Sequence, residues 1–187
     1  MTRPRGRPTN GKGVTRDDIL DSALGLLDES GGQGLTMRTL ATRLGVTPMS
    51  LYHHIGDLAG LLRALSDRVY AEAMEGLSGL ADPRTEIRTL LTRYHRAVGY
   101  HPQLTLAIFA TPEAFAGVTR QITDRLTALL AEMTTEPLQW RDILVDHAHG
   151  SGLALVAVRG DSLQAQSLQE QYLQALDRLL DSVPARP

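Results

Sequence analysis

Between Thr36 and His54 two short apolar-patterned stretches are separated by only Gly45-Val46-Thr47. That spacing constrains the fold more than any other feature of the chain. The first stretch carries Leu40, Ala41 and Leu44 on one helical face. Gly45 suits the left-handed conformation that ends a helix, and Thr47 followed by Pro48 suits the start of the next. Leu51 and Ile55 are the expected buried anchors of the second stretch. Two short helices at a steep angle across a tight turn are predicted, and Leu40, Ala41, Val46 and Leu51 knit them together. Thr47, Pro48, Met49, Ser50, Tyr52 and His53 are left toward the surface.

Helical periodicity continues on both sides. Thr15 and Asp18 begin a helix over roughly 16–30, with Ile19, Leu20, Ala23, Leu26 and Leu27 as its apolar stripe and Gly31-Gly32 as its stop. Gly56-Asp57 opens a longer helix carrying Leu58, Leu61, Leu62, Leu65 and Val69, which ends between Glu75 and Leu80. Asp82-Pro83 signals another start, and Gly99 to Pro102 a break. Further helices are expected over Leu104–Phe109, Glu113–Met133, from Pro137 to Gly160, and over Leu163–Val183. About nine helices and no convincing strand make an all-α chain. The organisation is a basic arm (1–14), a helix-turn-helix domain (15–60) and a C-terminal helical bundle (61–187). The last two helices are apolar on more than one face, which points to a subunit interface, with packing inside one subunit as the alternative.

Charge sharpens the division. The formal net charge of the 187 residues is −2, but residues 1–56 hold seven Arg or Lys against five Asp or Glu, whereas the remainder is acidic. Arg3, Arg5, Arg7, Lys12 and Arg16 fall in an opening stretch without a carboxylate. This is either a surface for a polyanion or a solvated tail. With no cysteine, thiolate metal sites, disulfides and cysteine nucleophiles are excluded. No apolar run is long enough to cross a bilayer, so a cytoplasmic protein is expected. No phosphate loop or nucleophile–base arrangement stands out, and adjacent His53/His54 or alternate His147/His149 have the wrong helical spacing for shared metal ligation. No enzyme, cofactor or metal site is therefore expected.

The exposed residues of the second short helix combine hydroxyls and a ring nitrogen for phosphate contact with apolar Pro48 and Met49, which suit a thymine methyl. Arg38 on the preceding helix adds a phosphate or base-edge donor. Tyr52 also fits a core edge, and His53 or His54 packing against the next helix. The run Gly34-Leu-Thr-Met-Arg38, Leu40-Ala…Leu-Gly-Val46 and Leu51-Tyr-His-His-Ile55, continued by Leu61 and Leu62, resembles the tetracycline-repressor (TetR) family across the first third of the chain. The resemblance implies a homodimeric transcriptional regulator, a repressor released from a palindromic operator by a small-molecule effector and joined through its last two helices. It places Arg38, Pro48, Met49 and Ser50 toward bases, with Thr47, Tyr52 and His53 at or beside phosphate contacts. Leu58 stands where the family commonly has a phosphate-binding lysine, which throws weight on the arm and on the backbone N–H groups near Asp57. There Arg5-Gly6-Arg7-Pro8 resembles the core of an AT-hook, with a generic basic tail as the alternative. In the C-terminal part Tyr94, His95, Tyr100, Phe115, Met133 and His149 are possible pocket walls. His101, Phe109, Trp140 and His147 are taken as ligand-binding, the histidines having structural roles as their alternative.

Overall fold

A computed structural model describes residues 13–30, 34–77 and 82–186. Among these residues the regular structure is helical, with no strand. The elements are α1 (Arg16–Ser30), α2 (Met37–Leu44), α3 (Pro48–Ile55), α4 (Leu58–Met74), α5 (Pro83–Tyr100), α6 (Pro102–Phe109), α7 (Val118–Met133), α8 (Pro137–Ala154) and α9 (Ser162–Asp181). Single 3₁₀ turns cover Pro112–Ala114 and Leu155–Val158. The basic arm, with Arg5 and Arg7, lies outside the described residues.

The first three helices are short, and their ends are closed by side chains. Thr15 and Asp18 bond reciprocally at the start of α1. Thr36 and Thr39 form the equivalent box at α2, where Thr39 N–H donates to Thr36 Oγ1 at 3.1 Å. Such caps satisfy N–H groups that have no partner inside the helix, and each is worth about 1 kcal/mol. Gly45 has φ 66°, ψ 28°, the left-handed conformation expected of it, and the chain turns directly into α3. Ile19, Ala23 and Leu27 of α1 are buried, as are Leu40, Ala41 and Leu51 of the helix pair. Those apolar stripes, rather than intrinsic propensity, hold helices of eight residues in place.

Helix α4 belongs to this cluster and to the bundle beyond it. It packs on α1 and α3 near its start, and on α5, α6 and α7 over its length. Leu61, Leu62 and Leu65 have essentially no exposed surface. In the middle of α4 the Asp67 carboxylate accepts the Val118 N–H at 2.8 Å, which caps α7 from a neighbouring helix.

One expected helix is divided. Instead of running from Glu113 to Met133, the chain makes a 3₁₀ turn, passes through Phe115–Gly117, and starts α7 only at Val118. The reason is tertiary: Gly117 adopts φ 58° directly against the Asp67 carboxylate, and periodicity cannot register that partner. Likewise Pro137 does open α8, but the helix ends at Ala154 in a 3₁₀ turn before Gly160.

Helices α5 and α8 cross closely because Gly152 is buried at the contact. A Cβ there would lie 2.7 Å from Val98 Cγ1 and 3.2 Å from the His95 carbonyl. Polar contacts outside the crossing keep the helices in register. Arg125 forks onto the buried Glu86 carboxylate at 2.6 and 2.8 Å, and Arg88 onto Asp177 at 2.6 and 3.2 Å. Replacing Gly152→Ala is expected to cost about 1–3 kcal/mol by forcing α8 away from α5. Thermal or urea unfolding checks this, and an unchanged midpoint would show that the crossing has slack.

Candidate functional site

Two regions concentrate side chains that do more than pack. The first is the outer face of α3. Pro48 is the first residue of the helix, and Thr47 caps it through the Ser50 N–H, 3.3 Å from Thr47 Oγ1. With Leu51 fully buried, the register turns Met49 (65% exposed) and Tyr52 (47% exposed) outward beside Thr47, Pro48 and a partly exposed Ser50. His53 and His54 are exposed too, as is Arg38 on α2. Tyr52 is therefore not a core-edge aromatic in this chain. One small helix thus presents a hydroxyl, a phenol, two imidazoles and two apolar groups without a carboxylate of its own. The set matches the chemistry of a groove edge lined with phosphates, base acceptors and thymine methyls.

The start of α4 is less open to phosphate than the sequence alone implies. Leu58 is half-buried against the core, and Asp57 caps the helix by accepting the Gly60 N–H at 2.7 Å. A carboxylate already occupies one of the N–H groups available to an anion. The nearby Arg43 is held on Glu29 by two bonds of 2.5 and 2.8 Å, which leaves Arg38 as the forward cation of α2.

The second region lies among α4, α5, α6, α7 and α8. Tyr70 and Thr105 share a buried hydroxyl–hydroxyl bond of 2.8 Å. Tyr94 and His149 meet at 2.7 Å between the phenol oxygen and Nε2. The Tyr94 ring tilts against Tyr70, 5.2 Å between centroids, and Phe109 stands edge-on to His149 at 4.8 Å. With Phe115, Thr119, Ile122, Thr123 and Val145 they enclose a cavity of about 40 Å³. Burial pushes the Tyr70 phenol up to about 12 and Tyr94 higher still, while it lowers the His149 imidazole. Burial disfavours charge on all three groups, so the cavity is a neutral one at ordinary pH.

A larger, open cavity of about 560 Å³ lies between the end of α1, α5 and α9. Asp28, Arg96, Arg159 and Asp161 line it beside Tyr100 and Leu155. His101 sits instead in a smaller groove of about 260 Å³ between α4 and α5, its buried Nδ1 unbonded. Of the expected ligand residues, only Phe109 reaches the ring-lined cavity, and Trp140 and His147 line none of the three. Trp140 is partly buried against the core, and His147 stacks on Tyr172 at 5.1 Å. His147 and His149 face different partners, as their spacing requires. Sequence reasoning passed over Tyr70 and Thr105 altogether. They sit 35 positions apart on separate helices, so only the fold pairs them.

The other face of Tyr172 is covered by His95, ring centroids 3.7 Å apart and 6° from parallel. The Tyr172 hydroxyl donates to the Leu91 carbonyl at 3.0 Å, and His95 Nε2 lies 3.1 Å from Ser151 Oγ. This stack joins α5, α8 and α9.

Among the described residues, an outward-facing second helix after a tight turn, ahead of a helical bundle with internal cavities, is the architecture of the helix-turn-helix class. Residues 19–65 match the family described as bacterial regulatory proteins, tetR family. That match takes in 47 of the 187 residues, from α1 through the helix-turn-helix to the first half of α4. It is 33% identical over 107 residues, 51% of its length and 49% of the other's, to the uncharacterized HTH-type transcriptional regulator Rv0681 of Mycobacterium tuberculosis (strain ATCC 25618 / H37Rv). The matched region spans about half the length of such curated relatives. Similarity to solved structures runs further. Mycobacterium smegmatis BioQ is 25% identical with a TM-score of 0.74, covering 90% of this chain and 97% of that one. A BioQ solved with its natural double-stranded DNA operator has the same fold, at 24% identity, a TM-score of 0.68 and coverage of 90% and 97%.

Burial lowers the His95 imidazole to about 4 from an ordinary 6.5, with His147 adding to the effect. The unfolded chain then binds the proton more readily than the native one. Stability present above about pH 6.5 should be lost progressively as pH falls toward 4, by an amount on the order of a few kcal/mol. His95→Gln should flatten the dependence of Tm on pH across that window. Buried His149 and His101 shift in the same direction, so some slope should persist. An unchanged slope in His95→Gln would contradict the assignment.

Proposed function

We propose that the protein is a homodimeric DNA-binding transcriptional regulator, a repressor whose hold on a palindromic operator is released by a small-molecule effector. The observation that carries this reading is the outer face of α3: Pro48, Met49, Ser50 and Tyr52 stand outward on a helix anchored from beneath by Leu51. In this reading α3 enters the major groove, Pro48, Met49 and Ser50 meet base edges, and Thr47, Tyr52 and His53 hold phosphates. Arg38 reaches the groove from α2. The operator complex of the similarly folded BioQ supports that placement by analogy of fold.

A second copy of the chain is the partner proposed for α8 and α9. Leu138 and Ile143 on α8, Val156 beyond its end and Leu163 on α9 all leave apolar surface exposed, Leu163 at 79%. Pairing these helices buries that surface and sets the two α3 helices roughly 34–36 Å apart, one turn of DNA. The division into arm (1–14), reading head (15–60) and regulatory body (61–187) follows. Arg5 and Arg7 of the arm supply phosphate or minor-groove contacts that Leu58 does not. No helix among the described residues is long and apolar enough to cross a membrane, in keeping with a cytoplasmic site of action.

Fluorescence anisotropy on DNA from upstream of the protein's own gene tests the reading. Tyr52→Ala should weaken specific and random DNA alike, by roughly tenfold for one lost phosphate contact. Met49→Ala or Ser50→Ala should instead change the ranking of operator variants. A folded wild-type dimer that binds its upstream DNA no better than random DNA at low salt would overturn the proposal.

A further inference from the structure

The ring-lined cavity differs in chemistry from the other two. No Asp, Glu, Lys or Arg is among its lining residues, whereas the larger cavity carries two carboxylates and two guanidinium groups, and the α4–α5 groove carries Glu72, Arg93 and Arg96. Its polar groups already have partners: Tyr70 bonds Thr105, Tyr94 bonds His149, and the Thr119 and Thr123 hydroxyls donate to the Ala116 and Thr119 carbonyls. A ligand carrying a full charge would leave it without a counter-charge in an enclosed apolar space, at a cost that hydrogen bonds to neutral groups do not recover.

The walls also set the shape. Tyr70, Tyr94, Phe109, Phe115 and His149 offer ring faces and edges, which suit offset or edge-on contact with another ring. The cavity, at about 40 Å³ and partly open past Phe109 and Phe115, holds little more than a water, whereas a benzene-sized ring needs on the order of 150 Å³. Phe109 and Phe115 are 55% and 49% exposed, so swinging either one outward gives up little burial and enlarges the cavity by about a ring. The Tyr94 hydroxyl, bonded to His149 at one lone pair or through its proton, retains capacity for one more hydrogen bond.

We propose that this cavity binds an uncharged aromatic molecule of one or two rings bearing a single hydroxyl or carbonyl, oriented by the Tyr94–His149 pair and admitted past Phe109 and Phe115. The proposal rests on the reading of the body as effector-responsive and names the chemistry of the effector.

Titration calorimetry on the full chain without DNA tests this with three para-substituted toluenes of similar size: 4-methylphenol, 4-methylbenzoate and 4-methylbenzylamine. The phenol should bind at least tenfold more tightly than either charged probe. Tyr94→Phe, which keeps the ring and removes the hydroxyl, should weaken the phenol by roughly fivefold or more. Val145→Phe, which fills the cavity from α8, should abolish its binding. Absence of phenol binding up to its solubility limit, equal or tighter binding of a charged probe, or phenol binding unchanged in Tyr94→Phe would each overturn the proposal. If Val145→Phe does not fold, the near-isosteric Tyr94→Phe still decides it. A phenol that binds as expected yet leaves operator affinity unchanged would retain the cavity's chemistry and overturn the effector reading alone.

Discussion

Helix α4 begins beneath α3 and ends against the ring-lined cavity, and the burial of Leu61, Leu62 and Leu65 along it is the constraint on which the remaining arrangement depends. Those leucines fix where α1 and α3 sit. One turn beyond them, Asp67 caps α7, and Tyr70 bonds Thr105 on α6. A change at the cavity therefore meets α4 directly through Tyr70 and indirectly through α7. Close-packed helices do not absorb such displacements gradually, so on the proposed effector reading α4 is the element that would carry a displacement from the cavity toward α3. The mechanism proposed for the protein needs no other element to connect ligand and DNA.

The polar groups are distributed in keeping with that division of labour. Fork-like ion pairs fasten α5 to its neighbours: Arg88 with Asp177 of α9 at a half-exposed site, where the pair contributes modestly to stability, and Arg125 of α7 with the buried Glu86 carboxylate. The stack of His95 and His147 on Tyr172 fastens α5, α8 and α9 with neutral rings. These contacts make the α5–α8–α9 side the stiff part of the body.

The helix-turn-helix was legible in the sequence because its determinants are local. A capping threonine, a left-handed glycine and a proline at a first helical position act within a few residues of themselves, and each did so at Thr47, Gly45 and Pro48. Gly117 escaped the same reasoning because its partner, Asp67, lies 50 positions away. The cavity was legible only in outline. Aromatic residues of the C-terminal half were marked as possible walls, and Phe109 and His149 do meet there, but Trp140 and His147 turn elsewhere. Which ring faces which cavity depends on the helix crossing at Gly152, and no spacing along the chain encodes that contact. His101 shows the same limit: its place at the α5–α6 corner was plain, yet its ring lies in a groove apart from Phe109.

The most direct measurement of the central claim, that α4 carries a change at the cavity to the α3 helices, is the distance between the two heads of a dimer. The chain contains no cysteine, so Asp17→Cys on the exposed start of α1 places one spin label in each subunit. Electron–electron double resonance should show one narrow inter-head distance on operator DNA. A saturating ligand in the ring-lined cavity should shift that distribution in the DNA-free protein, and Tyr94→Phe should need more ligand for the same shift. An inter-head distribution that stays fixed while the cavity fills would contradict the account.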